Sequence, residues 1–273
     1  MPPSEEGGME IAMKHYEITK PIGLRTPCEE IEKACEAAHV YRRCGLRPRH
    51  FIIPLNSGNG RTTLIEYMAD MYKESGVLDF ISGLDDYIEI TLDGSLQQLK
   101  QAFAEIDAAA VYTNEYCNII GLDISGIASH LGETQFTEFL RNVKRICDHA
   151  CVVFFVSALP SRNEERLLER LCEAVENIKR LSVEPYTRED ICDLIVKFLE
   201  DHGTRISEEE SFRKELQETV VSLDIMCVKE AAAAVEELVF YADFSGFVPV
   251  VDACSLKLLT ESRKKGRVRR DVK

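Results

Sequence analysis

The run from His50 to Thr63, HFIIPLNSGNGRTT, constrains this chain more than any other stretch. An apolar segment leads into an Asn/Ser/Gly cluster, and a basic residue with two threonines then opens an amphipathic helix. Strand, glycine-rich turn and helix in immediate succession aim several backbone N–H groups and the positive end of a helix dipole at one point, the anatomy of a phosphate-binding loop. The binding candidates in it are Asn56, Ser57, Gly58, Asn59, Gly60, Arg61, Thr62 and Thr63. Set against the pattern GxxxxGK[ST], the loop departs at two fixed positions: Leu55 stands for the first glycine and Arg61 for the lysine.

Length and charge bound the alternatives. A chain of 273 residues can bury a sizeable core, as one large domain with a small companion. With 33 basic against 47 acidic residues the formal charge is −14, which excludes the whole surface as a nucleic-acid footprint and leaves only local patches. Ten cysteines without a CxxC pair read as free thiols of a cytoplasmic protein. Cys147, His149 and Cys151 come nearest to a metal cluster, but the apolar run beginning at Cys151 reads as a strand, which makes buried thiols the better account. CVVFFVSALP, the longest apolar run, falls far short of the roughly 20 residues that span a bilayer.

Periodicity then orders the chain. Residues 1–20 are polar and read as loosely ordered. From Thr26 a capped helix runs to Gly45, and the strand at His50, the loop and a helix from Arg61 to Glu74 follow. Strands are expected at Tyr87–Leu92, Tyr116–Asp123, Cys151–Ser157 and Ile178–Val183, separated by helices at Ser95–Glu105, Glu133–Asp148 and Asn163–Val175. Such alternation with right-handed crossovers gives a doubly wound parallel sheet whose ligand sits beyond the carboxyl ends of the strands, where Asp123, Ser157 and the loop all fall. Past Glu184-Pro185 the pattern turns helical, with helices expected at Thr187–His202, Glu208–Val221, Ile225–Tyr241 and Asp252–Ser262. The expected divisions are residues 1–20, an α/β domain over 21–184, a helical lid over 185–262 and a basic tail over 263–273.

The order of these parts resembles the AAA+ ATPases, and within them the branch containing stage V sporulation protein K and the red-type rubisco activases. YRRCGLRPRHFIIPLNSGNGRTTLIEYMADMYKESGVL matches that branch from its basic lead-in through a loop usually written GNPGTGKTT. NIIGLDISGI lies where a Walker B strand ends, and VEPYTREDI where the lid begins. The resemblance covers residues 22–243 and implies a P-loop NTPase (AAA+) α/β fold with a small all-helical lid. It further implies ATP or ADP with magnesium as cofactor, the Thr62 hydroxyl binding the metal and the Asp123 carboxylate holding its water shell, and contacts to nucleotide from Ser157 and Lys229.

Departures from the pattern concentrate on turnover. Arg61 keeps a positive charge, but its planar fork is not the compact ammonium of lysine. Leucine at position 55 would be strained by a positive φ. Ile124 follows Asp123 where the resemblance expects a glutamate that orients water, and losing a positioned base forfeits about 10²- to 10⁴-fold in rate; Glu133 lies nearby only in sequence. Ala174 and Glu176 fall at the expected positions of trans-acting arginines, with Arg170 and Arg180 available only in a shifted register. Such an arginine is worth about 10³ to 10⁵ in turnover. The leading expectation is a degenerate AAA+ ATPase-like protein, binding ATP or ADP with little hydrolysis and acting as a regulatory or scaffold subunit of a homo- or hetero-oligomer. The alternatives are a slow ATPase that remodels a protein partner, and a non-catalytic subunit that joins a competent AAA+ homologue or binds nucleic acid through the basic end SRKKGRVRRDVK.

Overall fold

A computed structural model describes residues 18–43, 49–76, 87–92, 100–101, 104, 119–127, 131–148, 150–207, 210–245 and 248–270. Residues 1–17 of the segment expected over 1–20, and most of the helix expected at Ser95–Glu105, lie outside these residues.

In chain order the first part comprises α1 (Arg25–Arg43), β1 (His50–Pro54), α2 (Arg61–Glu74), β2 (Tyr87–Thr91), β3 (Ile119–Asp123), α3 (Glu133–Cys147), β4 (Cys151–Val156), α4 (Arg162–Ala174) and β5 (Ile178–Arg180). The five strands form one parallel sheet in the order β2-β3-β4-β1-β5. Parallel neighbours need crossovers, and the helices that supply them cover both faces. The period of two is visible in the core. Phe51, Ile53, Ile119, Val153 and Phe155 pack beneath α1 and α2, while Ile52, Ile120, Leu122, Val152 and Phe154 pack beneath α3 and α4. All six residues of β4 are buried, as a central strand requires, whereas the edge strand β2 is only partly covered. At the base of the sheet the buried His50 accepts the Val152 N–H on Nδ1 at 3.1 Å, tying β1 to β4 through a side chain.

Because β1 lies between β4 and β5, the chain leaving β1 emerges beside the end of β4, one strand from the end of β3. This is the crevice where open α/β sheets bind ligands.

The remainder is α5 (Arg188–Asp201), β6 (Arg205–Ile206), α6 (Glu210–Leu223), α7 (Val228–Tyr241), β7 (Asp243–Ser245), β8 (Val248–Val251) and α8 (Ala253–Arg270). Its four helices enclose a second core that includes Ile195, Leu199, Leu216, Val235, Leu238 and Leu256. A capping box starts α5: the Thr187 hydroxyl accepts the Asp190 N–H, and the Asp190 carboxylate accepts the Thr187 N–H at 2.8 Å. Two features add to the sequence reading. A small sheet, β6-β8-β7, joins the helices, built from strands too short to show a period. The last helix also continues past Ser262 to Arg270, and Arg263 is anchored to Glu237 at 3.0 Å. Among the described residues no helix is long and apolar enough to cross a membrane.

Candidate functional site

Leu55 turns inward into the core under α2 and is 3% exposed. Positive φ falls on Gly58 (80°) and Gly60 (82°), not on leucine, so the strain expected of a leucine in the loop does not arise. Gly60 is also the N-cap of α2 and carries no side-chain cap, so the first amides of that helix face the loop uncapped. Ser57, Gly58, Gly60, Arg61, Thr62 and Thr63 line one cavity of about 270 Å³, together with Glu89, Gly121, Asp123, Phe155 and Val228. Thr62 and Thr63 are exposed there.

The floor of this cavity is a buried ion pair. Arg61, 9% exposed, runs under the loop rather than out of it. Its Nη1 donates to Asp123 Oδ2, its Nε donates to the Leu55 carbonyl at 2.5 Å, and its guanidinium carbon lies 5.1 Å from the centre of the Phe155 ring. The other oxygen of Asp123 accepts the amide of Ser125 at 3.0 Å and its hydroxyl at 2.6 Å. Gly121 lets neighbouring side chains close over β3: a Cβ there would stand 2.2 Å from Ile65 Cδ1 and 3.3 Å from Phe155.

This arrangement does not fit the magnesium ion that the fold implies. Both oxygens of Asp123 are held by donors of the chain itself, and a guanidinium stands where a cation would need the carboxylate. Among the described residues no group of three His, Cys, Asp or Glu side chains is placed to hold a metal. That statement covers Cys147 and Cys151, both buried; His149 lies outside the described residues. Burial pushes the Cys151 thiol up to about 12, far from a ligating thiolate.

The remaining candidates form the rim. Asn56 accepts the Ala158 N–H at 3.1 Å, fastening the loop to the segment after β4. The Asn59 carbonyl accepts the Tyr186 hydroxyl at 3.0 Å, fastening it to the entrance of the second unit. Burial pushes the Tyr186 phenol up to about 12, so it remains a donor through neutral pH. Ser157 donates to Glu164 at 2.6 Å, within the capping box of α4, and does not line the cavity. Lys229, on the first turn of α7, is exposed and lays its stem against Gly58, where a Cβ would meet Lys229 Cβ at 3.3 Å. Beside Tyr186, burial works against ionisation of Asp190, yet hydrogen bonds from Thr187 and the Arg25 charge hold its carboxyl below the usual range.

The parts tied to turnover point elsewhere. Ile124 is 1% exposed in the core beneath α3, the face opposite Asp123, and its N–H continues the ladder to Phe155. Arg180 forms a bidentate pair with Glu165 at 2.9 Å, and Arg170 lies 4.2 Å over the Phe136 ring. Glu133 is the first residue of α3. Sequence reasoning missed Ser125, Glu89 and Tyr186. Ser125 was discoverable as a hydroxyl two residues beyond an aspartate, a common Asx-type arrangement. Glu89 shares register with Gly121 across a strand pair, so its arrival in the cavity needs the sheet order.

No protein-family model and no curated protein matches the sequence. Solved structures do. The AAA domain of FIGL-1 in complex with ADP superposes with a TM-score of 0.59 at 14% identity, covering 90% of this chain and 82% of that one. The R170A variant of Thermotoga maritima RuvB gives 0.57 at 14% identity, covering 89% and 70%. Another Thermotoga maritima RuvB structure, described as a Holliday junction branch migration motor, gives 0.56 at 12%, covering 88% and 70%. Five parallel strands in this order, the glycine-turned loop after β1 and the helical unit behind it have the fold of an AAA+ P-loop NTPase domain.

Proposed function

We propose that this chain is a degenerate AAA+ module that binds ATP or ADP at the Ser57–Thr63 loop, hydrolyses it little or not at all, and works as a regulatory or scaffold subunit through contacts with protein partners. One observation carries the reading: the loop keeps its glycine turns and an uncapped helix start, while Arg61 is spent on Asp123 and the next residue, Ile124, lies in the core. Anion binding rests on backbone groups that survive, and turnover on side chains that do not. The run from Tyr41 to Leu78 favours membership of the branch of stage V sporulation protein K and the red-type rubisco activases. Exposed Phe240 and Phe244 on the helical unit suit a partner surface better than free solvent.

Calorimetry with ADP and a coupled phosphate-release assay test it together. Binding without measurable turnover is the expected result. Turnover abolished by Asp123→Asn would overturn the degenerate reading. A slow ATPase has one observation on its side, since Glu89 places a carboxylate in the cavity without an ion-pair partner among the described residues. Turnover lost on Glu89→Gln would install that second reading.

A further inference from the structure

We infer that the Arg61 guanidinium takes the place of the divalent cation, so that nucleotide at this loop binds without magnesium. The inference deepens the nucleotide-binding reading above and depends on it.

Both oxygens of Asp123 are engaged, three donors standing against about four lone-pair sites. One is held by Arg61 and the other by the amide and hydroxyl of Ser125, and the side chain is 12% exposed. Magnesium keeps an octahedral shell of oxygens that includes several waters, so whether it met Asp123 directly or through such a water it would compete with Arg61 for Oδ2 and sit beside a like charge. Nor can Arg61 step aside easily. Its Nε is fixed by the Leu55 carbonyl and its plane lies over Phe155, and a guanidinium stays charged at every relevant pH. Of the two residues the resemblance assigns to the metal, only Thr62 would be left without a competing cation. The positive field toward phosphates is then left chiefly to the loop amides and the uncapped start of α2, with the guanidinium end of the ion pair beneath them.

The test is calorimetric titration of the full chain with ADP, once in excess magnesium and once in EDTA. Affinity in EDTA is expected to equal or exceed that in magnesium, because the metal can only sequester free ADP; a difference within about twofold counts as equal. Manganese added to the chain with ADP should give the same electron paramagnetic resonance spectrum as manganese with ADP alone. A loss of about tenfold or more in EDTA overturns the inference while leaving nucleotide binding intact. No ADP binding in either buffer overturns nucleotide binding itself, and the inference with it. Arg61→Lys, which releases one oxygen of Asp123, is expected to make binding magnesium-dependent by about tenfold; metal-independent binding by a folded lysine variant would show that Arg61 is not the cause.

Discussion

On the floor of the cavity, Arg61 and Asp123 meet as full charges at 10% and 12% side-chain exposure, whereas on the rim Asn59 and Tyr186 share a neutral hydrogen bond closer to solvent. The floor was assembled by giving up adaptability: each charge needs the other, because an ion in a poorly solvated place is costly when alone. The rim can be broken cheaply and remade. Stability should therefore be concentrated in the floor, and communication between the two units in the rim.

The sharpest way to break that comparison is Asp123→Ala. It strands a buried guanidinium, and unfolding in urea is expected to show a loss of about 3–5 kcal/mol. A site kept open for a metal would respond in the opposite sense, since deleting an unpaired carboxylate relieves the apo chain. A loss under about 1 kcal/mol would mean that Arg61 escapes to solvent and that the pair resembles a surface salt bridge.

Next comes Gly121→Ala, which touches no charge. The added methyl would meet Ile65 Cδ1 at 2.2 Å with Phe155 and Glu89 Cγ also within 3.3 Å, so the buried Ile65 side chain must repack or β3 and α2 must separate. Overpacking of this kind costs about 1–3 kcal/mol. If the denaturation midpoint stays put, α2 is less rigidly seated on the sheet than the floor requires.

On the rim, Tyr186→Phe removes one hydrogen bond to the loop and leaves the ring against Gly23. The expected loss is about 0.5–1.5 kcal/mol, with faster amide exchange at the start of α5 as the informative readout. Unchanged exchange would show that the loop and the helical unit are not coupled through this contact.

How much of this could be read beforehand follows the same division. The parallel sheet was legible because buried strands such as CVVFFV and capped helices announce themselves locally, and the loop because its glycines have a backbone reason to be there. Position 61 was legible as an arginine but not in its direction. Whether it reaches outward to an anion or inward depends on Asp123 and Phe155, which come from other strands and reach the site only after the sheet order is known. Leu55 shows the same limit, since a strained turn and a buried anchor are indistinguishable until the φ values are seen. The short strands β6, β7 and β8 and the length of α8 escaped because a few residues carry no period and a basic run is compatible with both helix and tail.

Lys229 supplies the smallest expected effect and the finest test of the rim. Its ammonium is exposed, so Lys229→Ala should leave stability within about 0.5 kcal/mol. Its stem nevertheless lies on Gly58, at the turn that would wrap a phosphate, which puts the charge within the field of any bound anion. Comparing Lys229→Ala with Lys229→Met separates packing from charge, because methionine keeps much of the stem and discards the ammonium. If charge is what matters, both variants weaken ADP binding by about fivefold and lower its salt dependence equally. If the stem matters, methionine retains the affinity that alanine loses. Should neither variant change ADP binding, the cation nearest the phosphates would be Arg61 beneath the loop, and the floor would hold the ligand as well as the fold.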